Sequence, residues 1–143
     1  MVDASVAAKW VLDELGREAA VHLIVRQNHR QIELIAPDLI LLELSNVISK
    51  RERRKLLTTR QAEEAFHLMV QSSPRLARSQ PLIPSALKLS RQHQLSFWDS
   101  VYLALALERG CGFITADHRL YAAAISKHPF VQLLDPPDSG TRH

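Results

Sequence analysis

Cysteine is almost absent from this sequence: Cys111 is the only one in 143 residues. A lone thiol excludes an intramolecular disulfide and a cysteine-based zinc cluster, and it is expected to behave as a small buried apolar residue. The seven histidines do not fill the gap. None stands in His-x-x-x-His spacing, so a zinc site is not expected. Long apolar runs are also missing, and nothing reaches the length needed to cross a bilayer. Asp3, Asp13 and Glu14 interrupt the apolar stretch that a secretory leader requires, so the cytoplasm is the expected compartment. There is no internal repeat and no low-complexity segment. A charge excess is lacking too: +3 is too modest to define a nucleic-acid-binding protein by itself.

What is present is an ordinary globular composition, 46% hydrophobic and 23% charged, over a length that suits one domain with one core. That domain is expected over 1–135. The segment 136–143, with Pro136-Pro137-Asp138-Ser139-Gly140, reads as a flexible tail. Short apolar runs alternate with longer helical stretches. Met1-Val2 starts a very short strand. Ser5 to about Asn28 is predicted helical, with a break near Gly16. Glu33-Leu34-Ile35-Ala36 is a strand stopped by Pro37, and Asp38 is expected to cap a helix to about Lys55. Thr58 and Gln61 form a capping-box pattern. Pro81-Leu82-Ile83 reads as the start of a strand, and Pro84 opens a helix to about His93. Ser96 caps a helix that Gly110 ends. Cys111 to Thr115 is a strand, His118 to Ser126 a helix, and Phe130 to Leu134 the last strand. Strands alternating with helices imply an α/β domain with a mainly parallel sheet. Such sheets carry their ligand sites at the carboxyl ends of the strands.

Four acids could converge on one such edge. Asp3 follows the first strand, Asp117 follows the Phe113-Ile114-Thr115 strand, Asp99 lies in the first turn of the helix opened by Ser96, and Glu43 lies in the helix after the second strand. Asp3, Asp99 and Asp117 each have a purely structural use as helix caps or first-turn acids. Glu43 is harder to place. It sits in Leu39-Ile40-Leu41-Leu42-Glu43-Leu44, among apolar neighbours, and a buried carboxylate costs several kcal/mol unless it is paired. A metal ion or a cation from another element would pair it; a partly exposed stripe of Glu43, Asn46 and Lys50 is the structural alternative. Oxygen-only clusters of this kind suit Mg²⁺, a hard cation. Lys50-Arg51-Glu52-Arg53-Arg54-Lys55 places five cations in six residues. It is read either as a solvated helix end or as a patch that contacts phosphates.

Four segments together resemble the PIN-domain family, and within it toxins of the VapC type. They are Val2-Asp3-Ala4-Ser5-Val6, Ala36-Pro37-Asp38-Leu39 with Glu43-Leu44-Ser45-Asn46, Leu95-Ser96-Phe97-Trp98-Asp99 through Ala106, and Gly112-Phe113-Ile114-Thr115-Ala116-Asp117-His118-Arg119-Leu120. Each is weak alone; in order, over nearly the whole chain, they form a specific signal. Only Met1 and Val2 precede Asp3, fewer residues than the family usually carries, so the first strand is expected to be short. The resemblance implies a three-layer fold with a central, mainly parallel sheet of about five strands flanked by helices. It implies Mg²⁺, with Mn²⁺ as a substitute, held by Asp3, Asp99 and Asp117, with Glu43 as a ligand or as the group that orients a water. Ser5, Asn46 and Thr115 would support those ligands. It implies an endoribonuclease acting on structured RNA such as transfer or ribosomal RNA, with Lys50, Arg51, Arg53, Arg54 and Lys55 as RNA contacts. It also implies a cognate antitoxin and a homodimer. Leu56, Leu57, Phe66, Leu68 and Met69 would meet the antitoxin, or else pack in the core. The alternatives are a PIN nuclease of RNA processing and a catalytically silent PIN domain that binds RNA or protein. A phosphotransfer fold of the haloacid-dehalogenase type would want a second Asp where Ser5 stands.

Overall fold

A computed structural model describes residues 1–134; the expected tail over 136–143 lies outside them. The first helix, α1 (Ala4–Val11), begins at Asp3, whose carboxylate accepts from the backbone N–H groups of Ser5 and Val6. Gly16, in the left-handed region at φ 84°, turns the chain into α2 (Arg17–Asn28). The strand β1 (Ile35–Pro37) leads into α3 (Leu39–Arg53), and α4 (Thr59–Gln71) follows. Thr58 and Gln61 form the full capping box expected of them. After β2 (Arg75–Ala77) come a 3-10 turn at Gln80–Leu82, α5 (Ile83–His93) and α6 (Phe97–Arg109). The chain ends its described part with β3 (Phe113–Thr115), α7 (His118–Ala124) and β4 (Val131–Leu133).

The strands pair in parallel, β1 with β2 and β3 with β4. The Met1-Val2 segment lies between the two pairs. Val2 bridges Ile114 in parallel, Ile114 N–H donates to the Met1 carbonyl at 2.9 Å, and Val2 N–H donates to the Ile35 carbonyl at 3.1 Å. This is an α/β domain with parallel pairing; the strands are three residues long, and one continuous five-stranded sheet is not what the pairing defines. Helices α1, α3, α6 and α7 pack on the strands. The core is densest around α6, where Ser100 to Ala106 are all buried, and the Tyr102 ring stacks on Phe113 at 6.3 Å. Burying a large apolar side chain of this kind contributes about 2 kcal/mol.

Two expectations are corrected. Pro81-Leu82-Ile83 is not a strand: it forms the 3-10 turn and the first residue of α5. Proline has no N–H to give a sheet but fits the first turn of a helix, and Pro81 and Pro84 both sit at such positions. The strand of this region is instead Arg75–Ala77, upstream. Asp38 precedes α3 but its side chain caps no N–H there. It accepts from the Ser79 hydroxyl and from Ser79 N–H at 3.1 Å, while the Ser79 hydroxyl accepts from Leu39 N–H at 3.2 Å. The cap is thus supplied from beyond β2, which ties β1 and β2 together at their carboxyl ends.

Candidate metal centre

The site is built outward from Asp3. Its carboxylate is 5% exposed, and its Oδ1 accepts from Ser5 N–H at 3.1 Å, from Val6 N–H at 3.3 Å and from the Ser5 hydroxyl. Its Oδ2 accepts from the Thr115 hydroxyl. That hydroxyl also accepts from Asp117 N–H at 3.1 Å, and the Ser5 hydroxyl accepts from Ala116 N–H at 2.9 Å. Ser5 and Thr115 therefore tie the start of α1 to the end of β3 and fix both rotamers around Asp3. Burial pushes the Asp3 carboxyl up to about 6; its hydrogen bonds with Ser5, Thr115 and Val6 oppose the rise, and the charge of Asp99 adds to it.

Asp99 lies in the first turn of α6, where its N–H donates to the Ser96 hydroxyl at 3.1 Å. Burial raises its pKa, the Ser96 hydroxyl opposes that rise, and the charge of Asp117 adds to it. Asp117 caps α7, accepting from Arg119 N–H at 2.9 Å and Leu120 N–H at 3.2 Å through Oδ1. Glu43 is half-buried on α3. Burial raises its pKa as well, the Tyr102 hydroxyl favours its charged form, and the charge of Asp99 works against it. The fields of Asp3, Glu43 and Asp117 thus meet at Asp99.

These acids form an open array. Among the described residues no three Asp, Glu, His or Cys side chains stand close enough to hold a metal ion as placed. Four like charges on four separate elements repel and do not close on their own. The donor set nonetheless fits a hard cation. Every candidate ligand is a carboxylate oxygen, Asp3 Oδ2 carries only the Thr115 bond, and Glu43 Oε1 is a buried atom with no hydrogen-bond partner. An unpaired buried carboxylate oxygen is costly unless something positive meets it.

Glu43 and Ser5 open onto a cleft of about 430 Å³, lined also by Asn46, Lys9, Glu14 and Arg51. Arg51 is not free: its guanidinium donates to Glu14. The other members of the basic run, Lys50, Arg53, Arg54 and Lys55, are exposed and have no ion pair among the described residues. The apolar residues after α3 divide: Met69 is buried, whereas Leu56 and Phe66 are 66% and 51% exposed. Three residues around the site escaped the sequence reading. Tyr102, one helical turn beyond Asp99, is 1% exposed, and its hydroxyl is buried without a hydrogen-bond partner beside Glu43. Its position three residues after Asp99 was the available signal. Lys9, four residues after Ser5, carried the same kind of signal; Glu14, in a loop, carried none.

Parallel strand pairs covered by helices, with Asp3 and Asp117 just beyond the carboxyl ends of strands and Glu43 carrying an unpaired carboxylate oxygen, place the chain among α/β proteins. A family model described as PIN domain matches residues 1–126, and the chain belongs to the PIN-domain family. Members are generally metal-dependent nucleases that commonly use Mg²⁺, and membership supports that class of activity for this chain. Among curated proteins nothing matches it. No helix of the described residues is long and apolar enough to cross a membrane.

Proposed function

We propose that this protein is a Mg²⁺-dependent endoribonuclease and the toxin of a toxin–antitoxin pair of the VapC type, hydrolysing phosphodiester bonds in structured RNA such as transfer or ribosomal RNA. The observation that carries the reading is the Asp99-centred array of Asp3, Glu43, Asp99 and Asp117, with the Glu43 oxygen left unpaired. Asp3, Asp99, Asp117 and Glu43 would hold the ion, which when bound neutralises charge on the scissile phosphate and activates water. Ser5 and Thr115 keep the Asp3 carboxylate in one orientation. Asn46, exposed on α3 three residues after Glu43, lines the same cleft and is placed to support a bound phosphate or water. Lys50, Arg53, Arg54 and Lys55 supply long-range attraction for the strand. Leu56 and Phe66 offer exposed apolar surface to a helical segment of the antitoxin or to a second copy in a homodimer.

The test is cleavage of total cellular RNA by the parent and by Asp99→Asn, with Mg²⁺ or Mn²⁺. Asparagine leaves the Ser96 cap intact, because the cap uses the backbone N–H of residue 99, but removes the charge at the centre of the array. The parent should cleave and the variant should lose at least about a hundredfold. Equal cleavage by both would place the active site elsewhere.

A further inference from the structure

The cleft beside the acids has a second wall that the metal site does not use. On α1, Ser5 and Lys9 are four residues apart; on α3, Glu43, Val47 and Arg51 repeat at the same interval. Residues so spaced share a helix face, and all five line the cleft. The two stripes carry Ser5 and Glu43 at one end and the cations Lys9 and Arg51 at the other, with Arg51 about 12 Å of helix rise beyond Glu43. At the cationic end both side chains close on Glu14. Arg51 donates to Glu14 Oε1, and Lys9 Nζ lies 3.7 Å from Glu14 Oε2 while donating to the Leu15 carbonyl at 2.6 Å. Lys9 and Arg51 are 14% and 33% exposed, against 88% and 71% for the ion-paired Arg60 and Arg75. Two partly desolvated cations against one carboxylate leave a net positive charge at this end of the cleft, away from Glu43, and partial burial limits its screening.

We infer that Lys9 and Arg51 form a phosphate subsite for a nucleic-acid strand, and that Glu14 occupies it in the free protein as a stand-in for the phosphate. This rests on the nuclease reading. With the scissile phosphate at the acids, a phosphate further along the same strand reaches the cationic end and displaces Glu14. Glu14 keeps the two cations gathered and oriented until then, and its competition lowers the apparent affinity of the free protein. Arg51 therefore differs in kind from Arg53 and Arg54, which only add attraction at the surface.

The test uses the full chain carrying Asp99→Asn, so that the strand is not cut, and a fluorescein-labelled single-stranded oligoribonucleotide followed by anisotropy across a salt series. Lys9→Gln and Arg51→Gln should each weaken binding about tenfold and lower the slope of log K against log salt by about 0.7. Glu14→Gln, nearly the same shape without the charge, should tighten binding about threefold. Thermal melts of each variant identify any loss that comes from unfolding, and Glu14→Gln keeps the test decisive because misfolding cannot produce tighter binding. A strand bound with a normal salt slope but indifferent to Lys9→Gln and Glu14→Gln would overturn the subsite while leaving the nuclease reading standing. A strand not bound at all would overturn the subsite, while the nuclease reading stands or falls separately on cleavage of total cellular RNA.

Discussion

Asp3 shows what the site costs the fold. Its carboxyl is pushed up to about 6 in the native state by burial, against about 4 in an unfolded chain. Between those values the native protein binds more protons than the unfolded one. The contribution of Asp3 is therefore fully present below about pH 4, falls as pH rises through about 6, and then stays low. The loss is about 3 kcal/mol. Glu43 and Asp99, also raised by burial, act with the same sign. His128, lowered by burial and by the charges of His93 and Lys127, acts with the opposite one. Comparison with Asp3→Asn isolates the residue. In chelator, the variant should gain about 3 kcal/mol on the parent in urea unfolding between pH 4 and pH 7; a difference that does not change with pH would contradict the assignment. Tyr102 makes a second residue-scale prediction. Its hydroxyl favours the charged form of Glu43 but satisfies no bond of its own. Tyr102→Phe should leave stability within about 1 kcal/mol and shift the acid limb of the pH–rate profile upward, as Glu43 becomes harder to ionise. An unchanged profile would mean the hydroxyl is only packing.

At the scale of elements, the helices were legible in the sequence because their ends carry chemistry. Thr58 with Gln61, Ser96 and Gly110 all stand where the caps are. Gly110 adopts φ 57°, and nothing lies within 4 Å of where a Cβ would go. Gly110→Ala should therefore cost about 1 kcal/mol through the backbone alone, read as a lower melting temperature with activity intact; a loss far beyond that would mean α6 ends by some other device. The strands were less legible. Three residues are too few for an alternating pattern to show, and β2, with Arg75 and Leu76 exposed, has the composition of a surface loop. The prolines misled at Pro81 because a proline-bounded apolar pair reads alike as a strand start and as a helix start. The Asp38 cap misled because its partner Ser79 is 41 residues away. The four acids of the candidate site could be picked out of the sequence. Ser5 and Thr115, which the resemblance sets beside the ligands, both donate to Asp3, whereas the tie of Arg51 to Glu14, 37 residues apart, left no trace in the sequence.

For the molecule as a whole, a divalent cation is expected to be a stabilising ligand. Acids that share an ion repel in its absence and close around it in its presence, so on the proposed reading millimolar Mg²⁺ should raise the melting temperature at pH 7. At pH 5, where protons compete for Asp3, Glu43 and Asp99, the increase should shrink. The most direct measurement is Mn²⁺ binding, followed by the loss of the free-ion electron paramagnetic resonance signal as protein is added at pH 7. The parent should bind saturably, excess Mg²⁺ should displace the ion, and the folded Asp99→Asn variant should lose at least about tenfold in affinity. Binding that is equally tight in parent and variant would contradict the claim that these acids converge on a shared ion.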